Sequence, residues 1–445
     1  TNFNFDAIQE MNFQTGGFEA EFGQATGGIV NLVTKSGGNE FTGSLDIRFR
    51  NQKMTESGDH YDPDEQETQT QNISTTLGGP ILRDKLWFFV SVENIDNKWQ
   101  GEDVQFPWNF QGWNYIGKIT WQAASNHRAV FKYSGDPAEI PGANAAQFIE
   151  ANAAGTQEQG GEILQVELNS VLGQSTLLNF QAGAVRQFLS YGPSDGDTEA
   201  NGHINEDTLW QSNSTLTVQD SDRDRDEIRL SLTQFVDHFA GAHEFKGGLE
   251  YNDLLFSGEI WFPGDARVYD QNSRFPDRAV DLNEDGYITN HYLELLEPLE
   301  NARERVDSNG KIYTFYLQDA WRPIANLTIK PGIRLDNVQL SNSVGEDIAD
   351  MDRWQPRLGL AWDIFGNAKH VVRGSFGRFM DPTALTIPDF ASGIPLGIHE
   401  YNALEFYCNN SLGVLCSPDS PIPGPPGMEP YTFTTNDGIT YVLYD

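Results

Sequence analysis

Two cysteines in 445 residues are too few for a disulfide scaffold or a cysteine-rich zinc module. Basic residues are scarce as well: 29 Lys and Arg stand against 64 Asp and Glu, a formal net charge of −35. So acidic a chain is a poor partner for nucleic acid, whose phosphates need protein cations. It suits a solvated acidic surface, or one that holds divalent cations. No apolar run approaches the roughly 20 residues of a membrane helix, which excludes helical spans but not a membrane β-barrel. Catalytic patterns are missing too. The eight His residues form no HExxH, there is no GxSxG nucleophile turn, and the many carboxylates single out no acid–base pair. No enzyme is expected. The chain opens at Thr1 without an initiator Met or a leader, so a fragment is expected.

What is present is a two-residue rhythm, clearest over residues 311–336, KIYTFYLQDAWRPIANLTIKPGIRLD. Leu327, Ile329, Ile333 and Leu335 fall on one face, with Pro331 among them. Thr328, Lys330, Gly332, Arg334 and Asp336 fall on the other. That is the period of a strand with one apolar and one polar side. Pro331 removes one ladder donor. The break at 322–326 suits a tight reversal, so the stretch reads as a long antiparallel hairpin. Its charged face needs water. Its apolar face can meet either a core or lipid.

The same unit recurs. Strands are expected near 41–50, 70–79, 85–97, 112–122, 127–135, 162–172, 176–191, 225–239, 243–258, 309–322, 327–341, 353–364 and 369–379. Reversals near 80–84, 123–126, 173–175, 240–242, 323–326 and 365–368 are short. Those near 51–69, 98–111, 136–161, 192–224, 259–308 and 342–352 are long and rich in Gly, Asp, Asn and Pro. Short and long alternate, as they do between the two rims of an outer-membrane barrel. Trp87, Trp121, Trp321 and Trp362 lie near short reversals, and Trp99, Trp113 and Trp354 near the opposite strand ends. Two aromatic girdles at the membrane interfaces would produce that distribution. The plainer reading is core-filling tryptophan, which has no preference for strand ends. DSDRDRDE (220–227) alternates charge and reads as a solvated loop leading into a strand.

Residues 15–43, TGGFEAEFGQATGGIVNLVTKSGGNEFTG, are dense in glycine yet match neither GxxxxGK[ST] nor GxGxxG. Tight turns at positive φ account for the glycines. AEFGQATGGIVNLVTKSGGNEFTGS resembles the end of the plug domain of TonB-dependent outer-membrane receptors, in their Oar-like branch. LGGPILRDKLWFFVSVE (77–93), HEFKGGLEY (243–251), QDAWR (318–322), QPRLGLAWD (355–363) and VRGSFGRF (372–379) resemble the same family. The likeness covers most of residues 12–380.

The resemblance implies an all-β fold, a transmembrane antiparallel β-barrel of about 22 strands closed by an N-terminal plug. On that reading residues 1–40 are the C-terminal end of the plug. Residues 41–380 supply about 13 strands, and 381–445 are a Pro-rich, Cys-containing external loop. Single-chain barrels close with an even number of strands, so a piece cut at both ends is expected. The resemblance also implies binding of a ligand at the external loops. Import would then be driven by the inner-membrane TonB–ExbB–ExbD complex, engaged through an upstream region. Outer-membrane lipid and lipopolysaccharide would surround the wall. The ligand itself is not legible.

Two local features stand apart. In DLNEDGYITNHYLE (281–294), Asp281, Asn283, Asp285 and the Tyr287 carbonyl match the first half of an EF-hand-type calcium loop. Position 12 is Tyr292 where a bidentate Glu belongs, and Glu294 comes two residues late. A Ca²⁺ site and an Asp/Asn/Gly turn that binds nothing are both open readings; no cofactor is otherwise required. Cys408 and Cys416 would form a disulfide in an oxidising compartment, the other reading being two free thiols. The rival to a receptor is a secreted or surface-attached, calcium-binding all-β adhesin. It would bury the apolar strand faces and expose the charged ones.

Overall fold

The computed structural model describes residues 4–23, 28–54, 67–205, 208–237, 239–271, 290–296, 306–380, 400–401, 430–434 and 440–444. Strands β1 (Ile8–Gln14) and β2 (Ile29–Thr34) form a small antiparallel pair of their own. The next strands are β3 (Thr42–Asn51), β4 (Glu67–Leu82), β5 (Leu86–Gln100), β6 (Trp108–Ala124) and β7 (His127–Gly135). They continue as β8 (Gly155–Leu172), β9 (Thr176–Pro193), β10 (Val218–Val236) and β11 (His243–Trp261). β12 (Val306–Asp319), β13 (Leu327–Ser341), β14 (Asp347–Asp363) and β15 (Val371–Gly377) complete the series. Among the described residues these thirteen, β3 to β15, form one antiparallel wall in which each strand pairs with its sequence neighbours. All thirteen expected strands are present, and all six short reversals join neighbours.

Pro331 sits where it does least harm. The register of β13 against its partner passes from Gln318–Gly332 to Trp321–Ile329, so the ladder is already interrupted beside the proline. The segment 208–217 is no wall strand. Trp210–Ser212 joins Gly202–Asn205, Ala266–Gln271, Asn290–Leu296 and Glu400–Tyr401 in a separate five-stranded sheet built from the long loops.

The wall strands run further into the long loops than composition suggests. β8 begins at Gly155, β10 at Val218 and β14 at Asp347, all within stretches expected to be loop. DSDRDRDE lies wholly inside β10, which corrects its reading as a solvated loop. A ladder needs only backbone donors and acceptors, so polar residues extend it wherever water bathes both faces. β10 and β11 have 19 residues each, roughly 65 Å of strand, whereas a membrane crossing takes about 9–11 residues.

Burial is inverted relative to a water-soluble sheet. Large apolar side chains point outward and are exposed, among them Leu45 (69%), Ile47 (64%), Leu249 (56%) and Leu358 (49%). The interior is polar: Ser91, Asp336, Arg334, Gln355 and Asn252 are all at most 2% exposed. An adhesin core would require the reverse. The face assignment made on 327–336 holds, with Arg334 and Asp336 inside and Ile333 outside.

Because the whole of β10 is laddered to β9 and β11, the amides of residues 220–226 should exchange with deuterium at least about 100-fold more slowly than in a solvated loop. Hydrogen-exchange mass spectrometry reads this directly. Free exchange there would restore the loop reading.

Candidate functional site

The inward face of the wall grips the N-terminal segment. In FEAEFG (18–23) the residues alternate, Glu19 and Glu21 against Phe18, Ala20 and Phe22. Gln318 on β12 reads this segment with both ends of its amide. Its Nε2 donates to Glu19 Oε2 (2.9 Å) and Glu21 Oε1 (3.1 Å), and its Oε1 accepts from the Glu21 backbone N–H (2.9 Å). Lys330 pairs with Glu19 at 2.5 Å, and Lys246 pairs with Glu21. Arg357 donates to the carbonyls of Glu19 and Phe22 and lies over the Phe379 ring, 4.5 Å from its centroid. Phe18 meets Phe379 edge-on at 5.7 Å.

Arg334 is the hub. It is 1% exposed. Its Nε donates to Asp336 at 2.9 and 3.1 Å, and its Nη2 to Glu250 (2.9 Å) and to Thr314 Oγ1 (3.0 Å). Its Nη1 reaches the carbonyls of Glu21 (3.2 Å) and Ala20 (3.4 Å). Asp336 also accepts from Thr314 and from Gln355, both at 2.6 Å. A buried guanidinium is tolerable only with its donors satisfied, and here two wall carboxylates and two plug carbonyls do so. A side chain on Gly23 would occupy the space of the guanidinium, so glycine there lets the backbone come close.

A second grip lies at β4 to β6. Asn4 donates to Ser91 Oγ (2.8 Å) and Ser74 to Asp6 Oδ2 (2.6 Å), while Lys118 reaches Thr34 O and Oγ1 (3.0 and 3.2 Å). Ala7 packs with Phe89 and Ile116 in a small buried cluster. Asn39 accepts from the Asp84 N–H and from the Trp87 indole, both at 2.8 Å.

Of the residues singled out from sequence, Asp281, Asn283, Asp285, Tyr287, Cys408 and Cys416 lie outside the described residues. Glu294 falls in the loop strand Asn290–Leu296, opposite Arg267 in the register. Trp121 and Trp362 sit at turn ends of the wall, opposite Leu86 and Leu327. Trp321 donates to the Ala240 carbonyl at 2.9 Å and stacks on His243. Trp99 lies at the other end of β5, whereas Trp113 is five residues inside β6, which begins earlier than expected. Trp354 is well inside its strand, because β14 begins earlier than expected.

Sequence reasoning put Lys330 and Arg334 on a wet inner face, yet it did not assign Glu19, Glu21, Lys246, Gln318 or Arg357 to a common site. A signal was available. Lys246 and Glu250 lie in HEFKGGLEY, Gln318 opens QDAWR, and Gln355 and Arg357 lie in QPRLGLAWD. The segments that carry the family resemblance are those that hold the plug segment.

A strand wall with an apolar exterior, a charged interior and a segment of its own chain gripped inside is a plugged outer-membrane β-barrel wall. The chain belongs to that family: residues 33–106 and 102–353 match the outer membrane beta barrel domain, which places it in the outer membrane of a Gram-negative cell. It is 22% identical to the TonB-dependent transporter Oar of Myxococcus xanthus, over 87% of this chain and 45% of the relative. Its fold is that of TonB-dependent receptors. The outer-membrane transporter YddB of Escherichia coli superposes with a TM-score of 0.65 at 15% identity, over 90% of this chain and 51% of that one. The alcaligin receptor FauA of Bordetella pertussis gives 0.57 at 12%, over 85% and 50%. The chain spans about half the length of these relatives. They are transporters and receptors, not enzymes.

Arg334→Ala should destabilise the wall by about 3–5 kcal/mol, because it strands Asp336 and Glu250 in the interior without their cation. The double change Glu19→Gln, Glu21→Gln should leave the thermal midpoint of the wall nearly unchanged while speeding proteolysis within residues 15–23. Equal proteolysis of wild type and double variant would show that these ion pairs do not hold the segment.

Proposed function

We propose that the protein carrying this chain is a TonB-dependent receptor that binds a ligand at its external loops and imports it through the barrel. Energy would come from the TonB–ExbB–ExbD complex acting on the plug. The observation that carries this reading is the grip on residues 19–23. It consists of hydrogen bonds and ion pairs to inward-facing side chains of the wall, with Phe18 against Phe379 as an apolar contact. Such contacts exchange for water one at a time, so a pull along the chain can release the segment without unfolding the wall. The exposed Trp113, Trp121, Trp354 and Trp362 serve on this reading as membrane-interface anchors among lipid and lipopolysaccharide.

The short reversals then face the periplasm and the long loops the exterior. A cysteine at Ser125, in the β6–β7 turn, should resist an impermeant maleimide on intact cells, and one at Glu158 should label. Gly241 is unsuitable as a probe: at φ 116° a side chain would run into the Arg322 carbonyl. Labelling at Ser125 but not Glu158 would invert the topology. For transport, growth on one nutrient among iron chelates, glycans, peptides or proteins should require both this protein and TonB. Growth that needs neither on any of them would refute import.

A further inference from the structure

Formal charge is distributed unevenly through the wall. The chain carries more than two acidic residues for each basic one, yet cations outnumber carboxylates in the lining of the main interior cavity. This space, about 1050 Å³, lies between the plug segment and β6 to β13. Five cations line it, Arg128, Arg225, Arg229, Lys246 and Arg334, against two carboxylates, Glu21 and Glu250, with Glu167 close by, accepting from the lining Asn169 and Asn179. The rest of its polar lining is largely amide and hydroxyl, including Gln165, Asn169, Gln181 and Asn252.

β10 shows how the sorting arises. Its alternating DRDRDE sequence has the period of a strand, so aspartates and arginines leave on opposite faces. Asp224 and Asp226 point outward to Arg186, at 3.5 and 2.7 Å. Arg223, Arg225 and Arg229 point inward. Arg223 lies 5.7 Å over the buried Phe256 ring, and Arg225 Nε donates to the buried Asn252 at 3.0 Å. The inward arginines span six residues, roughly 20 Å along the wall. Glu227 sits between Arg225 and Arg229, at 2.5 and 2.7 Å, and so offsets one of the two charges. Lys246 and Arg334 are committed to Glu21 and Glu250. Arg128 lines the cavity with no ion pair or hydrogen bond among the described residues.

We propose that this inner wall is a path for anionic solute. Arg223, Arg225, Arg229 and Arg128 form successive stations for carboxylate or phosphate groups moving from the outer rim toward the periplasm. The inference rests on the transport reading above and narrows its substrate class. Guanidinium groups on a rigid strand match both oxyanions bidentately. A series of partly neutralised stations lets an anion enter without being trapped, which conduction requires.

The test uses the complete protein carrying this chain, in planar bilayers with urea in the bath to displace the plug. In a KCl gradient the pore should pass chloride about threefold or more over potassium. Arg128→Gln alone should lower that ratio, and Arg128→Gln with Arg225→Gln and Arg229→Gln should bring it to about one or below. Asp222→Asn with Asp224→Asn, on the outer face, should leave it unchanged. Tricarballylate and tripolyphosphate should each block the wild-type current, and the stronger blocker assigns the station to carboxylate or phosphate. A cation-selective pore, or a ratio that neither the single nor the triple variant moves, would overturn the anionic path while leaving transport standing. No current from any variant would overturn the pore and the path together.

Discussion

In lipid a backbone amide has no water to turn to, and this one constraint organises the molecule. Each unpaired N–H or C=O in hydrocarbon costs several kcal/mol. Strands can therefore cross only side by side, each satisfying its neighbours, as β3 to β15 do. Once the ladder takes care of the backbone, the side chains are free to sort by solvent. Leu45, Ile47, Leu249 and Trp113 face out, and Ser91, Asn252, Arg334 and Asp336 face in. The inversion relative to a soluble sheet follows from the medium rather than from any special sequence.

A polar interior has to be satisfied in turn, and that need links the wall to the plug segment. Arg334 could not be buried on the wall alone. Asp336 and Glu250 neutralise it, and the carbonyls of Ala20 and Glu21 take the donors that remain. Gln318 does the same for the plug carboxylates from the other side. The plug segment is thus part of the wall's hydrogen-bond accounting. Apolar packing also contributes, as where Phe18 meets Phe379 and where Ala7 packs with Phe89 and Ile116. A contact made mostly of exchangeable polar bonds is firm at rest and separable in steps.

The long loops obey the same backbone rule under different conditions. Beyond the lipid, water could satisfy their amides, yet the ladders of β8 to β11 continue far past any membrane thickness. Neighbouring strands already hold the register there, so each further pair adds its ladder bonds without a new loop-closure cost, which helps offset the entropy of ordering it. Asp- and Gly-rich stretches that would be coil in isolation become strand.

The two-residue alternation determined by itself that the chain is all-β, that each strand has one apolar and one polar face, and where the short reversals fall. Those are local properties, since side-chain direction in a strand depends only on position along it. The alternation also contained the charge sorting of DRDRDE, but composition hid it, because Asp-rich sequence reads as loop wherever no partner strand is known. Only the tertiary structure decided that Glu19 and Glu21 meet Lys330, Lys246 and Gln318. Those contacts join residues separated by 225 to 311 positions. Such pairings depend on which strands lie side by side and which face the interior. That is set by how the whole wall is assembled against the segment, and no single stretch of sequence contains it.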